Sequence, residues 1–162
     1  MKIELATALR MAVLAGGALV LIGLAGVLVR LPLLTSTLGP TAYFFFVKPG
    51  PRWPALRTAS MAHTVGIGAG LLALVATGTW HVERSFLFHS GTVSQAFAAA
   101  IALAITLLVL HLIRAHHPPA ASTTILVASG LAGPGRLLEG LVLGLAALFL
   151  LELALNEVPA PR

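Results

Sequence analysis

Four stretches of about twenty residues, Met11–Val29, Met61–Thr79, Thr92–Ile113 and Leu137–Leu155, are nearly all apolar and contain no proline. A helix rises about 1.5 Å per residue, so each stretch is long enough to cross roughly 30 Å of hydrocarbon. A chain of 162 residues with 58% hydrophobic and only 9% charged residues has no polar surface with which to wrap four such helices in water. The sequence therefore predicts an all-α, polytopic transmembrane helical bundle that forms one integral membrane domain over residues 1–162. Its first stretch is too long for the apolar core of a secretory signal and leads into no cleavage site, so it is read as a retained helix.

Two shorter apolar segments lie between the long ones: LPLLTSTLGPTAYFFFV (Leu31–Val47) and PPAASTTILVASGLAG (Pro118–Gly133). Each follows a long stretch, carries proline and hydroxyl residues in its first half, and leads through a basic turn, KPGPR or GPGR, into the next long stretch. The chain thus predicts two units, 11–79 and 92–155, each with a long helix, a proline-broken short segment and a second long helix. If both short segments cross, Lys2, Arg10, Lys48, Arg52, Arg57, Arg114 and Arg162 fall on one side and Arg30, Arg84 and Arg136 on the other. Re-entrant segments give a more even split, so the positive-inside rule favours six passages with the N-terminus cytoplasmic, in a bacterial inner membrane. Three passages per unit would invert one unit relative to the other and bring the broken segments together near the bilayer centre.

Irregular backbone at that depth is tolerated only against protein or a wet cavity. A half-helix starting there presents unpaired N–H groups and the positive end of its macrodipole, which favours an anion. Gly39-Pro40-Thr41-Ala42 and Pro118-Pro119-Ala120-Ala121 are the candidate first turns, since proline suits the first helical position. Hydroxyls of Thr35, Ser36, Thr37, Thr41, Ser122, Thr123 and Thr124 are available to complete the coordination; the alternative for each is a bond back to a helical carbonyl. The expected substrate-binding set is Thr37, Gly39, Thr41, His63, His117, Pro118, Pro119, Ser122 and Thr123.

RAHHPPAASTTIL, with its His117-Pro118-Pro119, resembles the motif for which the HPP family of small integral membrane proteins is named. STLGPTAYFFFVKPG resembles that family's earlier small-residue segment, and PRWPALRTASMAHTVG resembles its Pro- and Arg-containing lead into a helix bearing His and Gly, here His63 and Gly66. Pro40 and Ala121 depart from the family's usual small residue and glycine. The resemblance implies four membrane spans and a transport function, with organellar and cyanobacterial relatives implicated in nitrite movement. It points to a transporter or channel for a small inorganic anion.

Other classes fit less well. The chain lacks Asp and Cys and shows no phosphate-binding glycine loop and no nucleophile with a recognisable base, so no enzyme activity is expected. Its ten Lys and Arg are scattered, so the net charge of +5 signals topology rather than nucleic acid. A haem or metal carrier using His63, His111, His116 and His117 is an alternative, but the spacing is unspecific and no cofactor is expected. A non-transporting scaffold is the remaining alternative, and it has no need of polar breaks. His81 and His89 belong to a polar loop, and His111 reads as interfacial. For His117, capping of the preceding helix and handling of protons or anions are both open. Glu139 is read as a local partner of Arg136, and Glu152 as a side chain that snorkels toward the helix exit. Gly66/Gly70 and Gly140/Gly144 read as helix contacts or an oligomer seam, and Trp53 and Trp80 as interfacial belts. A chain this small is expected to work in the lipid bilayer as a homo-oligomer.

Overall fold

Six helices and no strand make up the described residues: α1 (Lys2–Val29), α2 (Leu38–Val47), α3 (Arg52–Ala76), α4 (Val93–Leu112), α5 (Pro119–Ala128) and α6 (Arg136–Leu155). This computed structural model describes residues 2–47, 51–80 and 92–155, and the side chains of residues 2–4 and 52 are not described. Four of the helices are long and apolar enough to cross a membrane. The other two, α2 and α5, have 10 residues each, which at 1.5 Å per residue is about half the hydrocarbon thickness. The all-α architecture of four long helices and two short ones is the one expected. His81, His89 and Lys48–Gly50 of the first basic turn lie outside the described residues.

Helix α3 begins nine residues before Met61, at Arg52. The prolines at 51 and 54 do not prevent this. Pro54 sits in the first turn, where its missing N–H would be orphaned anyway, and Ala55 N–H already donates to Pro51 C=O at 3.0 Å. At its other end α3 stops at Ala76 because Gly78 takes a left-handed φ of 67°. Thr79 N–H then donates back to Leu74 C=O at 2.9 Å, and Gly78 N–H to Val75 C=O at 3.2 Å. Together these form a Schellman closure.

The helices that lead into the two breaks end in the same way, with arginine in the place of glycine. Arg30 after α1 and Arg114 after α4 have φ of 55° and 56°. Leu31 N–H donates to Gly26 C=O at 3.0 Å, and Ala115 N–H to Leu110 C=O at 2.9 Å. An L-residue in this conformation costs about 1–2 kcal/mol, which the recovered carbonyl bonds and the sharp change of direction offset.

The chain packs as two compact units that do not follow the two halves of the sequence: Met1–Leu56 with Gly140–Arg162, and Arg57–Glu139. The first holds α1, α2 and nearly all of α6; the second holds most of α3 with α4 and α5. In the first, α1 packs on α2, and Phe45 of α2 meets Phe149 of α6 edge to face at 5.5 Å. Gly140 and Gly144 of α6 take in the α1–α2 linker. A methyl group on Gly140 would stand 2.5 Å from Pro32 C=O, and one on Gly144 would collide with Leu33 C=O.

In the second unit α4 packs on α5. Thr92 and Gln95 form a capping box at the start of α4, and Gln95 Nε2 donates to Ser129 C=O at the end of α5 at 3.2 Å. Alanines 73, 98, 102 and 128 fill the contact nearby. Here Gly66 and Gly70 of α3 admit α5: a methyl group on Gly66 would lie 2.8 Å from Thr124 Oγ1 and 3.0 Å from Ala120 C=O, and one on Gly70 2.8 Å from Val127. Both glycine pairs are therefore contacts within the chain, each seating a broken segment.

Long helices leave many large apolar side chains uncovered, Leu28 at 83% exposure among them, as expected of surfaces that lipid covers. Trp53 and Trp80 stand exposed at the two ends of α3. Glu152 corrects the sequence reading. Instead of snorkelling it is buried, at 2% exposure, on the face of α6 that also buries Leu141, Leu145 and Leu148. A residue one turn from the helix end can reach solvent only if its face looks outward, and this one looks into the first unit. Glu139 is exposed in the first turn of α6.

Candidate functional site

The sequence places hydroxyls at both breaks, and the structure uses them differently. In the first unit Leu33 N–H turns back to Leu31 C=O at 2.8 Å before α2 begins. Thr37 and Thr41 are fully buried. Thr41 Oγ1 donates to Thr37 C=O at 2.8 Å, and the hydroxyls of Thr35 and Thr37 lie 3.3 Å apart. These bonds stay within a single turn. Gly39 is half-buried beside open space, with nothing within 4 Å of where a Cβ would stand, and Ser36 and Pro40 are exposed.

In the second unit the hydroxyls reach across helices. His63 of α3 and Thr123 of α5 are joined by a 2.8 Å hydrogen bond between Nδ1 and Oγ1. Thr106 of α4 and Thr124 of α5 are joined by one of 3.0 Å, and the Thr124 hydroxyl is also 3.0 Å from Ala120 C=O as donor. Adjacent residues on a helix point about 100° apart, so Thr123 and Thr124 address different neighbours. Thr106, Thr123 and Thr124 are fully buried, and His63 is 3% exposed.

His117, in the linker between Arg114 and α5, is equally buried. Its ring meets that of His63 edge to face, with centroids 5.1 Å apart. On the outer side His117 lines a pocket of about 390 Å³ together with Leu107, Leu110, His111, His116, Pro118 and Ala121. The rings of His111 and His116, both exposed, stack edge to face at 5.9 Å. Four histidines thus form two pairs: one at the pocket mouth, and one that starts at the pocket wall and continues into the helix packing. Among the described residues no three His, Cys, Asp or Glu are grouped to hold a metal ion.

The start of α5 departs from the expected half-helix donor set. Pro118 and Pro119 have no N–H, Ala120 N–H donates to His117 C=O at 3.0 Å, and Ala121 N–H donates to Pro118 C=O at 3.0 Å. The first-turn amides are therefore occupied in backbone turns. The macrodipole still points its positive end at the linker, but polar contacts toward the pocket come from side chains.

Of the predicted residues, His63, His117 and Thr123 are brought into one buried cluster, and Pro118 lines the pocket beside it. Pro119 is buried in the packing. Ser122 bonds back to Pro119 C=O at 2.7 Å, the alternative open to any helical serine. Thr37, Gly39 and Thr41 belong to the first unit. Sequence reasoning passed over Thr106, although a single hydroxyl in an otherwise apolar span is a signal of an interhelical bond. It grouped His111 and His116 with His63 and His117 only as a haem or metal alternative, and that His111, His116 and His117 share one pocket required knowing how sharply Arg114 turns the chain.

No curated protein and no solved structure matches the chain. A family profile described as "HPP, transmembrane region" matches residues 1–162. The His117-Pro118-Pro119 stretch that this profile covers is the one that ends α4, starts α5 and carries the buried histidine, and with the whole length matched the protein belongs to the HPP transmembrane family.

Proposed function

We propose that the protein is a transporter or channel for a small inorganic anion of the nitrite class, and that the α4–α5 break holds the polar part of its path. The observation that carries this reading is the buried His117 at the wall of the pocket, in ring contact with His63 and, through it, with the Thr123 hydroxyl. A membrane helix bundle has no structural need for a contiguous histidine and threonine cluster in its packing, and intramembrane ionisable groups mark ion pathways as a rule. Imidazole N–H and threonine O–H are donors suited to a small oxyanion. Thr37, Gly39 and Thr41 at the first break supply a second hydroxyl-bearing helix start to the same reading. The distribution of Lys and Arg goes with a cytoplasmic N-terminus in a bacterial inner membrane, and the small helix count goes with a homo-oligomer.

Purified protein in liposomes tests the proposal directly. Nitrite entering protein-containing vesicles at least tenfold faster than protein-free ones, with bulky organic anions excluded, is the expected result. Absence of any anion flux, together with a haem absorbance band or stoichiometric bound metal, would replace this reading with the cofactor-carrier alternative.

A further inference from the structure

We propose that His111 and His116 form a two-ligand site for a divalent transition-metal ion of the nickel, copper or zinc class at the mouth of the α4–α5 pocket, and that the bound ion closes the pocket. The site stands apart from the anion-transport reading above; only its closing action rests on that reading. His111 lies in the last turn of α4, and His116 lies in the linker five residues on. On a continued helix, positions five apart point roughly 140° from each other and could not share a ligand. The helix does not continue. Arg114 takes φ 56° and donates its N–H to His111 C=O at 3.2 Å, and Ala115 N–H folds back to Leu110 C=O at 2.9 Å. This closure returns His116 to the side of His111, with ring centroids 5.9 Å apart.

That separation suits a shared ion. An imidazole nitrogen binds such an ion at about 2.0–2.1 Å with its ring centre roughly 1.1 Å behind it, so two rings on one ion have centres roughly 4.5–6.5 Å apart. Both side chains are exposed, so their rings can turn toward a common ion without repacking a core. The donor type selects the metal: imidazole suits nickel, copper and zinc, whereas magnesium and calcium take oxygen ligands. Among the described residues no third His, Cys, Asp or Glu completes a group. Water therefore fills the remaining positions and binding is reversible, with a Kd of about 1–100 μM for half of the usual four protein ligands. Arg114, two residues from His116, repels a dication and moves the affinity toward the weak end. The two ligands share a pocket of about 390 Å³ with His117 at its wall. A hydrated ion on the mouth residues stands in the way of an anion moving toward His117, and its open positions hold that anion as a further ligand.

Calorimetric titration of the purified full chain with Ni²⁺, in detergent and free of any affinity tag, tests the site. One ion per chain with a Kd in that range is expected, and Mg²⁺ should not bind. His111→Gln and His116→Gln, each checked for folding by its melting profile, should each weaken Ni²⁺ binding by about tenfold or more. The double substitution His81→Gln/His89→Gln should leave that binding unchanged. In the wild-type chain Ni²⁺ should protect His111 and His116 from carbethoxylation mapped by mass spectrometry, a readout that stands even if neither variant folds. No Ni²⁺ binding up to about 1 mM, or binding that survives both single substitutions, overturns the site. In wild-type liposomes with Ni²⁺ on both faces, protein-dependent nitrite entry should halve at the concentration that half-fills the site. Ni²⁺ bound at the pair with nitrite entry unaltered overturns the closing action and leaves the site intact. Absence of protein-dependent entry before Ni²⁺ is added overturns the transport reading, while the titration still decides the site.

Discussion

At the α1–α2 break the hydroxyl bonds described stay within one turn, whereas at the α4–α5 break two hydroxyls, those of Thr123 and Thr124, reach other helices. The backbones are alike. Both follow a helix closed by arginine in the left-handed region, both lead into a helix of 10 residues, and both are seated by a Gly-x-x-x-Gly pair from a long helix. What differs is what the seat offers. Gly140 and Gly144 press on linker carbonyls of Pro32 and Leu33, so the first break is held mainly by close backbone packing. Gly66 and Gly70 admit α5 itself, one turn from His63, and this brings Thr123 within bonding distance of the imidazole. One device thus has two uses: in the first unit the described hydroxyl bonds are local and the break is closely packed, and in the second two hydroxyls also bond across helices.

Filling the seats is the harshest way to break this comparison. Gly144→Ala should cost the most, since its methyl group collides with a carbonyl of the linker, and Gly66→Ala should follow, being opposed by a hydroxyl and a carbonyl at 2.8 and 3.0 Å. Overpacking of this kind costs about 1–3 kcal/mol. Gly68→Ala is the control: it lies on the same helix with nothing within 4 Å of a Cβ, and it should be neutral or slightly stabilising. Thermal unfolding in detergent, monitored by circular dichroism, reads all three. Equal loss at positions 66 and 68 would show that α5 does not depend on the close approach.

These seats also show what could be read without a structure. The four long helices and two short segments were legible because hydrocarbon thickness leaves few solutions for so apolar a chain. The glycine pairs were legible as contacts, but not what they contact, since a Gly-x-x-x-Gly pattern states only that something comes close. Helix α3 began earlier than its apolar run because first-turn prolines and a flanking arginine read as loop in a linear scan. His63, His117 and Thr123 were placed in one expected binding set with residues of both breaks, but without the contacts that join these three. Their assembly depended on the turn at Arg114, a left-handed residue that no composition rule assigns to arginine, and so the pairing of positions 60 residues apart was hidden.

Removing single hydroxyls sharpens the contrast at smaller amplitude. Thr123→Val keeps the shape of the side chain but deprives the His63 imidazole of its 2.8 Å partner, and interhelical bonds of this type are worth about 0.6–2 kcal/mol in membranes. Thr37→Val loses only a 3.3 Å contact with a neighbour two residues away, and it should cost less than about 0.5 kcal/mol. Thr123→Ser, which restores the oxygen, should recover most of the loss in both melting temperature and nitrite flux. Were Thr37→Val as damaging as Thr123→Val, the first break would be wired like the second.

At the left-handed helix ends the effect is comparable, but the expected sign reverses between two closures of the same geometry. Gly78 closes α3 at φ 67° with nothing within 4 Å of where a Cβ would stand, so Gly78→Ala meets no neighbour and bears only the conformational penalty, about 1 kcal/mol. Arg114 closes α4 at φ 56° and already carries that penalty, so Arg114→Gly should raise the melting temperature by a similar free energy while removing a positive charge near the pocket. Natural use of the costlier residue at both breaks, against glycine at Gly78, indicates that the charge is retained for something other than the turn. A strained residue that persists beside a candidate site is evidence of function once the strain has been observed. If Arg114→Gly stabilises the protein and slows nitrite entry, the arginine serves the pocket; if it stabilises and leaves flux unchanged, the charge serves only to orient the chain in the membrane, as the positive-inside rule requires.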